Sequence, residues 1–197
     1  MYAPARTGLA LLPLVAALLI ALATPQRASA AGPLDGDFEI RSAFIVVDQG
    51  VLQLNAHVQY PISERIRSAL RDGVTLAFDL DVVITHRRRL WFNATVLDTT
   101  LRRELIYNAL SDRYVLSRES GEEQESFPTL EDALDRLGRL EDLPILVESQ
   151  LPAPGPWEVA VRGGIRRGRM PDALRALVFW SDNWHRVSDW YTWTLTL

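Results

Sequence analysis

Asp79 and Asp81 are the residues of this 197-residue chain whose type and spacing come nearest to acid–base chemistry. Side chains alternate across an extended strand, so carboxylates two positions apart share a face at a separation of about 7 Å. Such a pair suits a general acid and base working together, or two ligands of a hard cation. It equally suits ion pairing with arginines of a neighbouring strand, and Arg87, Arg88 and Arg89 follow closely enough to supply them. A second basic cluster, Arg162, Arg166, Arg167 and Arg169, is a candidate grip for a phosphate or carboxylate, because guanidinium takes both bidentately. Its alternative is a solvated loop. Trp180, Trp184, Trp190 and Trp193 fall close together beside Tyr191. Aromatic clusters of this kind anchor partners or fill the core of a β-domain. The candidate partner-binding set is therefore Trp180, Trp184 and Trp190, with Arg166 and Arg167.

Other chemistries find little support. His57, His86 and His185 lie far apart and none has a metal-ligand spacing. Nucleophile-elbow and Walker-type glycine loops are missing from the sequence. There is no cysteine, which excludes disulfides, thiolate catalysis and cysteine-bound zinc. No catalytic, cofactor-binding or metal residue is assigned, and no cofactor is expected. The reading is a binding module that performs no chemistry, and the rival is a cell-envelope hydrolase using Asp79 and Asp81.

The elements that must hold these residues are mostly strands. Phe38 to Val47 is β-rich, Asp48-Gln49-Gly50 offers a three-residue hairpin loop, and Leu52 to Tyr60 alternates apolar with polar. Ser63 is placed to cap a short helix that Gly73 stops, and Thr129 to cap another bearing Leu130, Ala133, Leu134 and Leu137 on one stripe, with Gly138 near its end. Between them, Val74, Leu76, Phe78, Leu80, Val82 and Ile84 form one apolar strand face. Leu90 to Leu97 and Tyr114 to Ser117 continue in that style; Leu101 to Leu110 fits either helix or strand, with strand favoured. Gly121 marks a hairpin tip, Ile145 to Val147 and Trp157 to Val161 are further strands, and Gly163-Gly164 predicts a bulge or turn. The pattern predicts a mainly β fold: an antiparallel sandwich or open barrel with two short helices closing an edge. Tyr191 to Leu197 alternates cleanly, as a soluble closing strand does and as the last strand of an outer-membrane barrel does; a small outer-membrane-associated β protein is the remaining alternative.

The head of the chain supplies an address. Arg6, an apolar run from Leu9 to Ala23 and Ala28-Ser29-Ala30 form a Sec-type signal peptide with cleavage after Ala30. The expected division is residues 1–30 as signal peptide and 31–197 as one periplasmic β-rich domain, with no stable transmembrane segment after cleavage. Loss of Arg6 and Arg27 takes the net charge from −4 to −6, the wrong sign for a general nucleic-acid binder. Every basic residue is arginine, which fits the codon usage of a high-GC bacterial genome.

Several spaced stretches carry a family likeness: Leu70 with Gly73-Val74-Thr75-Leu76; Tyr107 with Leu110-Ser111-Asp112-Arg113-Tyr114; Phe127 with Leu130-Glu131-Asp132-Ala133-Leu134 and Leu137; and Trp180-Ser181-Asp182-Asn183-Trp184 with Ser188 and Trp190. On these the chain resembles a proteobacterial secreted family known as domain of unknown function 4390. The resemblance implies an exported domain whose relatives are often encoded beside a membrane sensor kinase of the nitrogen-regulation type. It assigns no catalytic residue. The expected partner is a protein or a small envelope ligand.

Overall fold

The apolar alternation after Gly73 becomes the central strand of the molecule. In the computed structural model, which describes residues 34, 36–87, 94–118, 123–152, 155–168 and 184–197, the strands are β1 (Glu39–Asp48), β2 (Val51–Gln59), β3 (Leu76–His86), β4 (Ala94–Asn108), β5 (Arg113–Arg118), β6 (Glu125–Phe127), β7 (Arg139–Val147), β8 (Trp157–Arg167), β9 (His185–Val187) and β10 (Tyr191–Leu195). Among the described residues two α-helices interrupt them, α1 (Glu64–Arg71) and α2 (Leu130–Gly138). The smaller sheet has the order β1-β2-β7, and the larger runs β10-β8-β3-β4-β5-β6 with β9 also paired to β8. Among the described residues every pairing is antiparallel and neither sheet closes into a barrel.

All six apolar positions of the β3 face, from Val74 to Ile84, are buried, and they meet Leu52, Leu54 and Val58 of the smaller sheet in one core. The helices fill the side of this sandwich through Ile66, Ala69 and Leu70 of α1 and Leu130, Ala133, Leu134 and Leu137 of α2. Both caps form as their residue types require: Ser63 Oγ accepts from the Ile66 amide and Thr129 Oγ1 from the Asp132 amide. Gly73 follows α1 at φ +85, a conformation that side chains disfavour.

Two expectations are corrected, and a third reading, the strand favoured for Leu101 to Leu110, is met. The first hairpin loop has two residues, because Asp48 already pairs with Val51; Gln49 and Gly50 take φ of 48° and 77°, the positive values a tight turn between twisted strands needs. Gly163 and Gly164 make no bulge, since they lie in unbroken register opposite Leu80 and Asp79 in the middle of β8. What Gly163 provides is room: a Cβ there would meet the Phe38 ring at 3.0 Å. The ambiguous Leu101 to Leu110 segment is strand as far as Asn108, since cross-strand bonding to β3 and β5 outweighs its helical spacing. Residues 1–33, 88–93 and 119–122 lie outside the described set, and with them the expected signal peptide, the start of the Leu90 strand and the Gly121 tip.

Arg67 of α1 ties the two helices by donating to Glu131 of α2 at 2.5 Å. That hydrogen bond is the main cause holding the Glu131 carboxyl below the usual carboxylate range. A carboxylate whose pKa is depressed by folding stabilises the fold above its unfolded value, and the contribution is lost as pH falls through the lowered one. Glu131 is half exposed, so the effect is small. Between pH 7 and about pH 3, Glu131→Gln is expected to lose less of its urea midpoint than the unaltered chain; equal losses would contradict the link.

Candidate binding face on the larger sheet

The outer face of β3, β4 and β8 is built by register. Asp79 lies opposite Arg102 on β4 and Gly164 on β8; Asp81 lies opposite Thr100 and Arg162. Directly opposed residues share a face, so both aspartates stand among guanidinium groups on the side away from the core. Asp79 accepts from Arg102 Nε at 2.6 Å through one oxygen and from Arg166 Nε at 2.7 Å through the other. Asp81 accepts from Thr100 Oγ1 at 2.8 Å and from Arg162 Nη2 at 2.7 Å. All four carboxylate oxygens are engaged.

Among the described residues the arginines on these aspartates are Arg102, Arg162 and Arg166. Arg87 pairs with Glu158, and Arg88 and Arg89 lie outside the described residues. The basic cluster of the later segment is divided by strand alternation. Arg162 and Arg166 reach the aspartates, whereas Arg167 lies opposite Leu76 and belongs to the other face; Arg169 lies outside the described residues. Arg166 and Arg167 thus lie on opposite faces of β8.

The tryptophans divide as well. Trp184 and Trp193 are half-buried against the core, and Trp180 lies outside the described residues. Trp190 is 42% exposed. It lies where β9 gives way to β10 along the edge of β8, and the Arg162 guanidinium stands 4.3 Å from its ring centroid. Ser188, the single buried polar side chain among the described residues, spans that break: its amide donates to Gly163 O at 2.9 Å and its hydroxyl accepts from Gly163 N at 3.0 Å. Trp190 is thus presented from a fixed backbone, with Tyr191 exposed beside it.

A depression of about 210 Å³ adjoins this platform, lined by Asp79, Asp81, Arg162, Arg166, His185 and Val187. His185 shares it because β9 pairs with the end of β8, opposite Arg166. Among the described residues no group of three His, Asp or Glu could hold a metal ion, and no helix is long and apolar enough to cross a membrane. Arg102 and Thr100 escaped the sequence reading because nothing in their local spacing marks them; only the β3–β4 register brings them to the aspartates.

The profile of a family described as Domain of unknown function (DUF4390) matches residues 35–194, and the chain belongs to that family. No curated protein and no solved structure matches it.

Proposed function

We propose that the chain is an exported, non-enzymatic binding or accessory module of the cell envelope, working in the periplasm after removal of residues 1–30. Its partner is a protein, and the face that receives it is centred on Trp190. The observation that carries this reading is the exposed indole stacked on Arg162, whose guanidinium is itself fixed by Asp81. Tryptophan and arginine concentrate binding energy at interfaces, and a pair held in place beforehand loses less conformational entropy on docking. The resemblance to a secreted proteobacterial family, with relatives encoded beside membrane sensor kinases, supports the periplasmic domain of such a kinase as the partner. Asp79 and Asp81 offset two of the three arginine charges on this face, which agrees with a protein surface more than with a polyanion.

The test compares two tryptophans. Trp190→Ala is expected to leave the denaturant midpoint near its original value while abolishing co-purification with the kinase, from periplasmic protein whose first residue is Ala31. Trp184→Ala, which removes packing against the core, is expected to lower stability the more. Retained co-purification in Trp190→Ala, or a mature chain that keeps residues 1–30, would oppose the reading.

One observation favours a hydrolase as a second reading: His185 opens into the same depression as both aspartates. Against it, each carboxylate oxygen already accepts a hydrogen bond from a side chain, as in a structural ion-pair network. Turnover of peptidoglycan fragments that Asp79→Asn abolishes without a change in melting would establish the hydrolase instead.

A further inference from the structure

On the other side of the larger sheet, three guanidinium groups converge where α2 and β7 meet it. Arg103 of β4, Arg136 of α2 and Arg139 of β7 line a cleft of about 330 Å³ together with Leu140, Glu141 and Leu143. Arg103 is the unusual member. It lies opposite Phe78, a residue of the core face, so its side chain leaves β4 toward the interior of the sandwich and not toward the outer face. A charge placed there needs a counter-charge. Glu125 of β6 comes no nearer to Arg103 than 4.0 Å and is bound by Arg136 at 2.9 Å, while Arg139 is occupied with Asp135 at 3.0 Å. Burial, and next the positive charge of Arg136, lower the Arg103 pKa, with Glu125 acting against them. Glu125, Asp135 and Glu141 match the three arginines in number, but Arg103 is the loosely paired one, its ion pair with Glu125 standing at 4.0 Å while the other two guanidinium groups are held at about 3 Å.

The volume is at the small end of the range of about 300 to 1,000 Å³ typical of small-molecule sites. Its lining joins guanidinium groups with the side chains of two leucines. We propose that this cleft binds a small amphipathic anion, a carboxylate or phosphate headgroup on a short apolar body, with Arg103 and Arg136 on the head and Leu140 and Leu143 against the body. Glu125 is the resident carboxylate with which the headgroup competes. The site is separate from the Trp190 face and does not depend on it.

The mature chain is titrated calorimetrically with octyl phosphate, octanoate and inorganic phosphate, below the concentrations at which the amphiphiles form micelles. Saturable binding of at least one amphiphile, tighter than inorganic phosphate, is expected, and its preferred head distinguishes a phosphate-headed source from a carboxylate-headed one. Arg103→Gln and Arg136→Gln should each weaken it about tenfold or more, as the loss of a charge-assisted hydrogen bond predicts. Glu125→Gln should tighten it, because the competing carboxylate is gone. If Arg103→Gln fails to fold, Arg136→Gln, on the exposed side of its helix, carries the comparison. No saturable binding of either amphiphile, affinity untouched by the arginine variants, or inorganic phosphate binding as tightly as octyl phosphate would overturn the proposal.

Discussion

Phe78→Ala is expected to lower the unfolding free energy by about 3 to 5 kcal/mol, the range for removing a buried phenylalanine side chain. Phe78 is 3% exposed and is the third residue of β3, paired with β4 on one side and β8 on the other. Its ring meets Tyr60 edge-on at 5.0 Å, and Tyr60 in turn packs on Phe38 at 5.5 Å. These three rings join the larger sheet to the end of the smaller one, so the void left by alanine cannot close without moving one sheet against the other. Urea melts of the two proteins measure the difference; a loss below about 1 kcal/mol would place Phe78 outside the core.

Gly138→Ala is expected to destabilise the chain by up to about 3 kcal/mol, although alanine is the better helix former by about 1 kcal/mol. Gly138 is the last residue of α2, and a Cβ built there would stand 2.1 Å from the Val58 carbonyl oxygen. That atom is backbone of β2, held in the ladder with β1, and cannot swing aside as a flexible side chain would. The helix must shift away, taking Leu134 and Leu137 out of the core. A denaturant midpoint equal to or above that of the unaltered chain would show that α2 and β2 are not in close contact.

The sequence made some features legible and not others, for reasons that separate cleanly. Ser63, Thr129 and the six-residue apolar face from Val74 to Ile84 act through their immediate neighbours, so type and spacing suffice to read them. Gly163 and Gly164 were misread because a glycine records only that space is needed. Whether a turn or the ring of Phe38 needs it depends on a residue more than a hundred positions away. The partners of Asp79 and Asp81 come from β4 and β8, and their identity is a matter of register, which local pattern does not specify. The same holds more strongly for the arginine cleft. Arg103 reads as one charged residue in an ambiguous segment until pairing with Phe78 turns it inward and α2 and β7 bring Arg136 and Arg139 to it. The tryptophan cluster was found by composition, but its division into packed and exposed members follows from where β9 ends and β10 begins.

The claim that the Trp190 face receives a protein partner is tested most directly by placing a photoreactive amino acid at position 190 and irradiating intact cells. A second chain carries the same group at Leu110, an exposed residue on the turn between β4 and β5 and away from the β8 edge, as the control. The account predicts a discrete adduct from position 190, identified by mass spectrometry as a membrane sensor kinase, and none from position 110. No adduct from position 190, or the same adducts from both positions, would contradict it.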